Sequence, residues 1–192
     1  LKLSLDQGHH HKSYNIIKYW SLNDNLILNN DDYINDENVL SSFEDLLLST
    51  ISDQMIADVP VGAFLSGGID SSIIVCLMQR LSTKPVNTFT VGFHESNYNE
   101  AEHAKKIAKY LKTDHNELYV TPSDALNIIP KLPQIYDEPF SDSSQIPTIL
   151  ISEFAKQSVS VALSGDGGDE LFGGYNHYFS ADSLWVRIDK IP

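Results

Sequence analysis

Cysteine occurs once in the 192 residues, as Cys76, so no disulfide can form within the chain. A reducing compartment is implied, and the cytoplasm is the expected location. Basic residues are also scarce: 13 Lys and Arg stand against 26 Asp and Glu, a formal charge of −13. Such a surface repels phosphate backbones and disfavours nucleic-acid binding unless a basic patch exists. The largest basic cluster, Lys105, Lys106 and Lys109, falls on an expected helix among acidic residues and makes no such patch. No apolar run reaches the roughly 18 residues that a membrane span requires, so none is expected. The start of the chain lacks the basic, apolar and small-residue segments of a secretory signal. It opens on Leu1 rather than Met, from which a longer parent chain is expected.

Histidine chemistry is equally thin. His9, His10 and His11 are adjacent, and adjacent side chains on a regular element cannot converge on one metal ion. His94, His103, His115 and His177 show neither triad nor ligand spacing, and they are expected as surface or partly packed residues.

What is present is a regular alternation. Residues 1–35 read as an irregular linker, rich in Asn and Asp toward its end. From Asp36, Val39, Phe43, Leu47, Ile51 and Met55 recur every four residues and predict an amphipathic helix. Pro60 closes it. Val61–Leu65 predicts a short strand, Ser71–Leu81 a helix and Val86–Phe93 a second strand. Asn99–Lys112 predicts a helix with alanines on one face, and Glu117–Val120 a third strand. Thr121 and Pro122 form a hydroxyl cap followed by a first-turn proline, which starts a helix. Ile146–Lys156 predicts another helix, and Ser158–Leu163 a fourth strand. This pattern predicts an α/β fold with a mainly parallel sheet flanked by helices. In such folds ligands bind beyond the carboxyl ends of the strands.

Two glycine-rich turns fall at such ends. The first is Ser66-Gly67-Gly68-Ile69-Asp70-Ser71-Ser72. Its glycines allow close backbone approach, and a following helix N-terminus favours an anion. The serines add hydroxyl donors. Asp70 would repel phosphate unless a bridging Mg²⁺ took oxygens from both. The turn lacks the GK[ST] ending of a Walker A loop, so no lysine is offered to terminal phosphates. The second turn, Ser164-Gly165-Asp166-Gly167-Gly168-Asp169-Glu170-Leu171-Phe172-Gly173-Gly174-Tyr175, holds three carboxylates and five glycines within residues 164–174. So many close-approach positions beside acids suggest cation chemistry or proton transfer.

The first turn resembles the pyrophosphate-binding PP-loop of ATP pyrophosphatases. Both turns together resemble the glutamine-hydrolysing asparagine synthetase family. Asp58-Val59-Pro60-Val61-Gly62, Thr88-Phe89-Thr90-Val91-Gly92-Phe93 with Asn99-Glu100-Ala101, and Asp137-Glu138-Pro139-Phe140-Ser141-Asp142-Ser143-Ser144 with Pro147-Thr148 match that family in order. The resemblance implies an adenine nucleotide alpha hydrolase-like fold. It implies a synthetase domain over 36–192, truncated at its C-terminus, behind a linker of 1–35 from an absent glutaminase domain. Pyrophosphate would be held by Ser66, Gly67, Gly68, Asp70, Ser71 and Ser72. Asp70 and Asp169 would hold Mg²⁺. Leu65, Val91 and Gly92 would line the adenosine pocket, and Ser164 and Gly165 would touch the nucleotide. Asp166 would orient or deprotonate ammonia.

The implied activity is ATP-dependent activation of aspartate as an acyl-adenylate, followed by attack of glutamine-derived ammonia to give asparagine and AMP. A sister amidotransferase acting on another carboxylate, or a non-catalytic nucleotide-binding module, stays open. So does a homodimer. The family's late lysine would lie beyond Pro192, so weak turnover is expected of this stretch alone. Cys76 is expected in the core, on a packed side with Ile73, Leu77 and Leu81, and not as a nucleophile.

Overall fold

The computed structural model describes residues 17–21, 36–93 and 100–188. Most of the expected linker, the histidine run at 9–11 and His94 lie outside them. The chain divides into two compact units, 1–41 and 42–192, and the second carries the sheet.

The elements follow the expected alternation. Helix α1 spans Asp36–Gln54, β1 Val61–Phe64, α2 Ile69–Leu81, β2 Asn87–Phe93, α3 Ala101–Leu111 and β3 Asp114–Val120. Helix α4 spans Pro122–Ile128, and a 3₁₀ turn over Ile129–Lys131 joins it to α5, Leu132–Ile135. Then come α6 (Gln145–Ala155), β4 (Val161–Leu163), α7 (Gly168–Phe172) and α8 (Asn176–Ile188). Neither α7, inside the second glycine turn, nor α8 stands out in the apolar periodicity.

All strand pairs are parallel, and the order is β3-β2-β1-β4. The chain steps from β1 to β2 and β3 on one side of β1, and then returns past it to place β4 on the other. This makes a switch point between β1 and β4, where the loops beyond their carboxyl ends open a crevice.

Each face of the sheet buries its own cluster. On one face Ile51, Ala63, Leu65, Val75, Met78, Ala104 and Ala108 pack together. Alanines on α3 let that helix approach closely. On the other, Phe89, Ala155 and Val159 pack with Phe64, Ile151 and Phe154 from the partly buried set. Gly62 sits in β1 where a Cβ would meet Asn87 O at 2.8 Å and the Phe89 ring at 3.0 Å, so the strand tolerates no side chain there. Thr88 is fully buried, and its hydroxyl is satisfied by Thr113 Oγ1 at 3.0 Å and His115 Nδ1 at 2.9 Å. Thr121 accepts from Asp124 N while Asp124 accepts from Thr121 N, the reciprocal cap that starts α4.

Two packing expectations change. On α1, Ile51 is buried and Leu47 and Met55 pack against the core, but Val39 and Phe43 are exposed. The core of the sheet unit takes in Leu47, Leu48 and Ile51, from the C-terminal half of α1. On α2 the packed side is Ser71, Val75, Leu77 and Met78. Ile73 and Leu81 are exposed, and so is Cys76, contrary to its expected burial. Leu77, from the expected side, is buried, but contact with β1 and α3 turns the packed face toward Val75 and Met78.

Candidate active site

The first turn leaves β1 at Phe64 and enters α2 at Ile69. Gly67 has φ +89°, and a Cβ there would fall 2.9 Å from both His103 Cβ and Ala104 N. The turn is thus pressed onto the start of α3, in a conformation that favours glycine. Its hydroxyls brace it internally. Ser66 Oγ and Ser71 Oγ lie 3.0 Å apart, and the Gly68 N–H donates to Ser66 Oγ at 3.2 Å. Ser72 Oγ donates to Gly68 O at 2.6 Å. Gly68 caps α2 without a side-chain hydrogen bond, so the helix presents its positive end with no capping group.

The second turn leaves the adjacent strand β4 and lies over the first. A Cβ on Gly165 would sit 2.7 Å from Ser71 N, and one on Gly168 would sit 2.6 Å from Asp70 Cγ. Two glycines of one turn therefore interlock with the first residues of α2. Ser164 Oγ donates to Asp166 Oδ2 at 3.0 Å and holds that carboxylate at the loop. Gly173, at φ +68°, ends α7 and reverses the chain, while Gly174 is pressed against Asp169. The reversal brings Tyr175 back to donate to Glu170 Oε1 at 2.7 Å.

Between the turns lies a cavity of about 610 Å³. Ser66, Gly68, Asp70 and Ser71 line one side of it, and Ser164, Gly165, Asp166 and Asp169 the other. A neighbouring cavity of about 320 Å³ is lined by Leu65 and Val91 with Thr90 and Pro147. The two share Phe64, Ser66, Ser144, Thr148 and Ile151 as walls. This combination gives a polar chamber beside a more apolar one, which suits a polyphosphate joined to a flat base. Gly67, Ser72 and Gly92 line neither cavity. A Cβ on Gly92 would fall 2.8 Å from the Tyr119 ring, so this glycine makes room for packing between β2, β3 and α3.

Several lining residues were not singled out individually in the sequence. Asp142, from the Asp137–Ser144 block, accepts from Ser144 N and Oγ, both at 2.8 Å. The backbone N–H and then the hydroxyl lower its carboxyl below the usual range. Glu170 is likewise lowered, first by the Tyr175 hydroxyl, and the same bond pushes the Tyr175 phenol up to about 12. The i, i+5 spacing across a glycine pair was the available signal. Asp137 and Glu138 line a separate cavity of about 400 Å³, which shares the edge-to-face Tyr136–Phe140 pair with the large one. Cys76 sits with Lys106 and Tyr110 in a groove between α2 and α3, away from the large cavity.

Comparison with known proteins gives the fold and the family. NH3-dependent NAD synthetase from Campylobacter jejuni superposes with a TM-score of 0.50 at 18% identity, over 71% of this chain and 60% of that one. NMN synthetase from Francisella tularensis gives 0.51 at 16%, over 70% and 58%. These likenesses show the adenine nucleotide alpha hydrolase-like fold. A putative glutamine-hydrolysing asparagine synthetase 2 of Methanocaldococcus jannaschii is 44% identical over 77% of this chain and 28% of its own length. Asparagine synthetase 1 of Bacillus subtilis is 38% identical over 82% and 24%. The chain thus spans about a quarter of the length of these curated relatives. The sequence model for asparagine synthase matches residues 42–192, the whole unit that carries the sheet and both glycine turns, and the chain belongs to the asparagine synthase family.

Proposed function

We propose that the chain is the adenylating part of an amide ligase that activates the side-chain carboxylate of aspartate with ATP and passes it to ammonia. One observation carries the reading: two glycine turns on adjacent strands interlock around a single cavity that holds both Asp70 and Asp169. Family and fold imply ATP use.

The chemistry begins with a poor acyl donor, because a carboxylate oxygen is a bad leaving group. The aspartate carboxylate attacks the α-phosphorus, and the bond to pyrophosphate breaks. The Ser66–Ser71 turn and the positive end of α2 bind the departing pyrophosphate, where preorganised donors lower the barrier most. Leu65 and Val91 bound the chamber suited to the base, and Ser164 and Gly165 position the nucleotide beside them. Ammonia nitrogen then attacks the acyl carbon, and the bond to AMP breaks. The proton shed by nitrogen goes to a carboxylate, and Asp166, held by Ser164, stands at the cavity for that role.

Asp70 and Asp169 are hard oxygen donors of the kind Mg²⁺ takes together with phosphate oxygens. Among the described residues no group of three or more His, Cys, Asp or Glu could hold a metal alone. A pair of carboxylates fits an ion shared with a polyphosphate. Bound there, Mg²⁺ would neutralise charge growing on pyrophosphate. Ammonia would come from glutamine through a glutaminase domain outside this chain. No helix among the described residues is long and apolar enough to cross a membrane, which is compatible with the cytoplasm.

ATP–pyrophosphate exchange in the full-length protein tests the reading. Aspartate-dependent exchange, abolished in Asp70→Asn, supports it. Exchange only with another acid keeps the adenylation and moves the protein to a sister amidotransferase. A folded full-length protein that exchanges with no acid is a nucleotide-binding module.

A further inference from the structure

ATP, the nucleotide of the function proposed above, carries its ribose between the base and the triphosphate. The sugar must therefore lie where the polar chamber meets the more apolar one. Phe64, Ser66, Ser144, Thr148 and Ile151 make the wall common to both. The side chains of Phe64 and Ile151 offer only apolar surface. The hydroxyls of the other three are not equivalent.

A hydroxyl has a single hydrogen to donate. Ser71 Oγ donates to Gly68 O at 3.3 Å, so the hydrogen between Ser66 Oγ and Ser71 Oγ, 3.0 Å apart, comes from Ser66. Ser66 Oγ also accepts from Gly68 N–H at 3.2 Å. Ser144 Oγ donates to Asp142 Oδ2 at 2.8 Å. Both serine hydrogens are thus held within their own loops. Thr148 differs. It stands in the first turn of α6, where its backbone N–H donates to Ser144 O at 2.9 Å. A helical threonine or serine often gives its hydroxyl hydrogen to the carbonyl four residues back. Thr50 does so to Leu46 O at 2.8 Å, and Ser180 to Asn176 O at 3.2 Å. The Thr148 hydroxyl does not, and it has no hydrogen-bond partner among the described residues. The residue is exposed, at the wall that the two chambers share.

We propose that the Thr148 hydroxyl binds a hydroxyl of the ribose, so that the site takes a ribonucleotide in preference to its deoxy analogue. Of the three hydroxyls at the shared wall, only this one keeps both its hydrogen and its lone pairs for a ligand, and a sugar hydroxyl can use either. The proposal rests on the reading of ATP as the nucleotide, and it takes nothing from the identity of the acid or from the metal.

The probes are ATP, 2′-deoxy-ATP and 3′-deoxy-ATP, each with Mg²⁺. Their affinities for the full-length protein are read by calorimetry, beside aspartate-dependent pyrophosphate exchange. Wild type should bind ATP about three- to tenfold more tightly than one of the deoxy analogues, the size of one neutral hydrogen bond. Thr148→Val, which keeps the shape of the side chain, and Thr148→Ala should each bind ATP no better than that analogue. Thr148→Ser, which keeps the hydroxyl, should retain the preference. Equal affinity of wild type for all three nucleotides overturns the proposal. So does a preference that survives unchanged in Thr148→Val and Thr148→Ala. Either result, with exchange intact, leaves the adenylation reading standing. A preference that both variants lose, in a protein without exchange, upholds the ribose contact and overturns the adenylation. A folded protein that binds none of the three overturns both.

Discussion

Gly165 lies against the backbone of Ser71, so close that a Cβ at 165 would stand 2.7 Å from the Ser71 nitrogen. The neighbour is backbone in the first turn of α2, which cannot swing aside. Gly165→Ala therefore forces the two turns apart. Overpacking of this kind costs about 1–3 kcal/mol, read as a lower denaturation midpoint. Mg-ATP affinity, measured by calorimetry, should fall with it.

Gly168 offers a contrast. A Cβ there would meet the Asp70 side chain, at 2.6 Å from Cγ, and not backbone. The carboxyl can rotate away, which leaves only the milder contact with Asp70 Cβ at 3.0 Å. Gly168→Ala should therefore cost less stability than Gly165→Ala, while displacing Asp70 and weakening Mg-ATP binding. Equal loss of stability in both variants would contradict this division.

Metal removal should act through Asp70 and Asp169 together. With excess EDTA, ATP binding to the wild type should weaken markedly. Asp70→Asn and Asp169→Asn should each weaken binding with Mg²⁺ present, and EDTA should then add little. An unchanged EDTA effect in both variants would remove these carboxylates from the metal site.

His115 makes stability depend on pH. Its Nδ1 meets Thr88, while its buried Nε2 has no hydrogen-bond partner among the described residues. Burial lowers its pKa below the usual 6.5, against the pull of Glu117 and with a smaller push from Lys105. The unfolded chain then binds a proton at a pH where the folded chain does not. Stability must fall as pH drops through about 6.5, and level off once the folded pKa is passed. Glu117, Asp124, Asp142 and Glu170 are all shifted downward, so their losses come at lower pH. His115→Gln should flatten denaturation midpoints measured between pH 5.5 and 7.5.

Lys112 closes α3 with φ 59° and is not a glycine. A β-carbon in this region is strained, and glycine relieves the strain at some cost in chain entropy. Lys112→Gly should raise stability by about 0.5–1 kcal/mol, seen as a higher melting temperature with unchanged ligand binding.

Much of the fold was legible because its causes are local. Short β-rich runs ending in Ser66 and Ser164 marked strand ends, and the alanines at 101, 104 and 108 marked the buried face of α3. Thr121 and Pro122 announced α4 because a cap and a first-turn proline act within a few residues. The glycine turns were readable because positive φ and close approach exclude other side chains. The sequence by itself thus determined the strand–helix alternation, the two turns and the family.

Tertiary structure decided what depends on distant partners. The order β3-β2-β1-β4 set β1 beside β4, and only that adjacency makes two separate turns into one cavity. It pressed Gly165 and Gly168 onto Asp70 and Ser71, residues almost 100 positions earlier in the chain. It gave Gly92 a packing place against Tyr119, and it turned Cys76 outward as Val75 and Met78 packed inward. The Glu170–Tyr175 bond needed the reversal at Gly173. Spacing states which residue types are available, but contacts across the sheet are made by burial and steric fit, which no local pattern encodes.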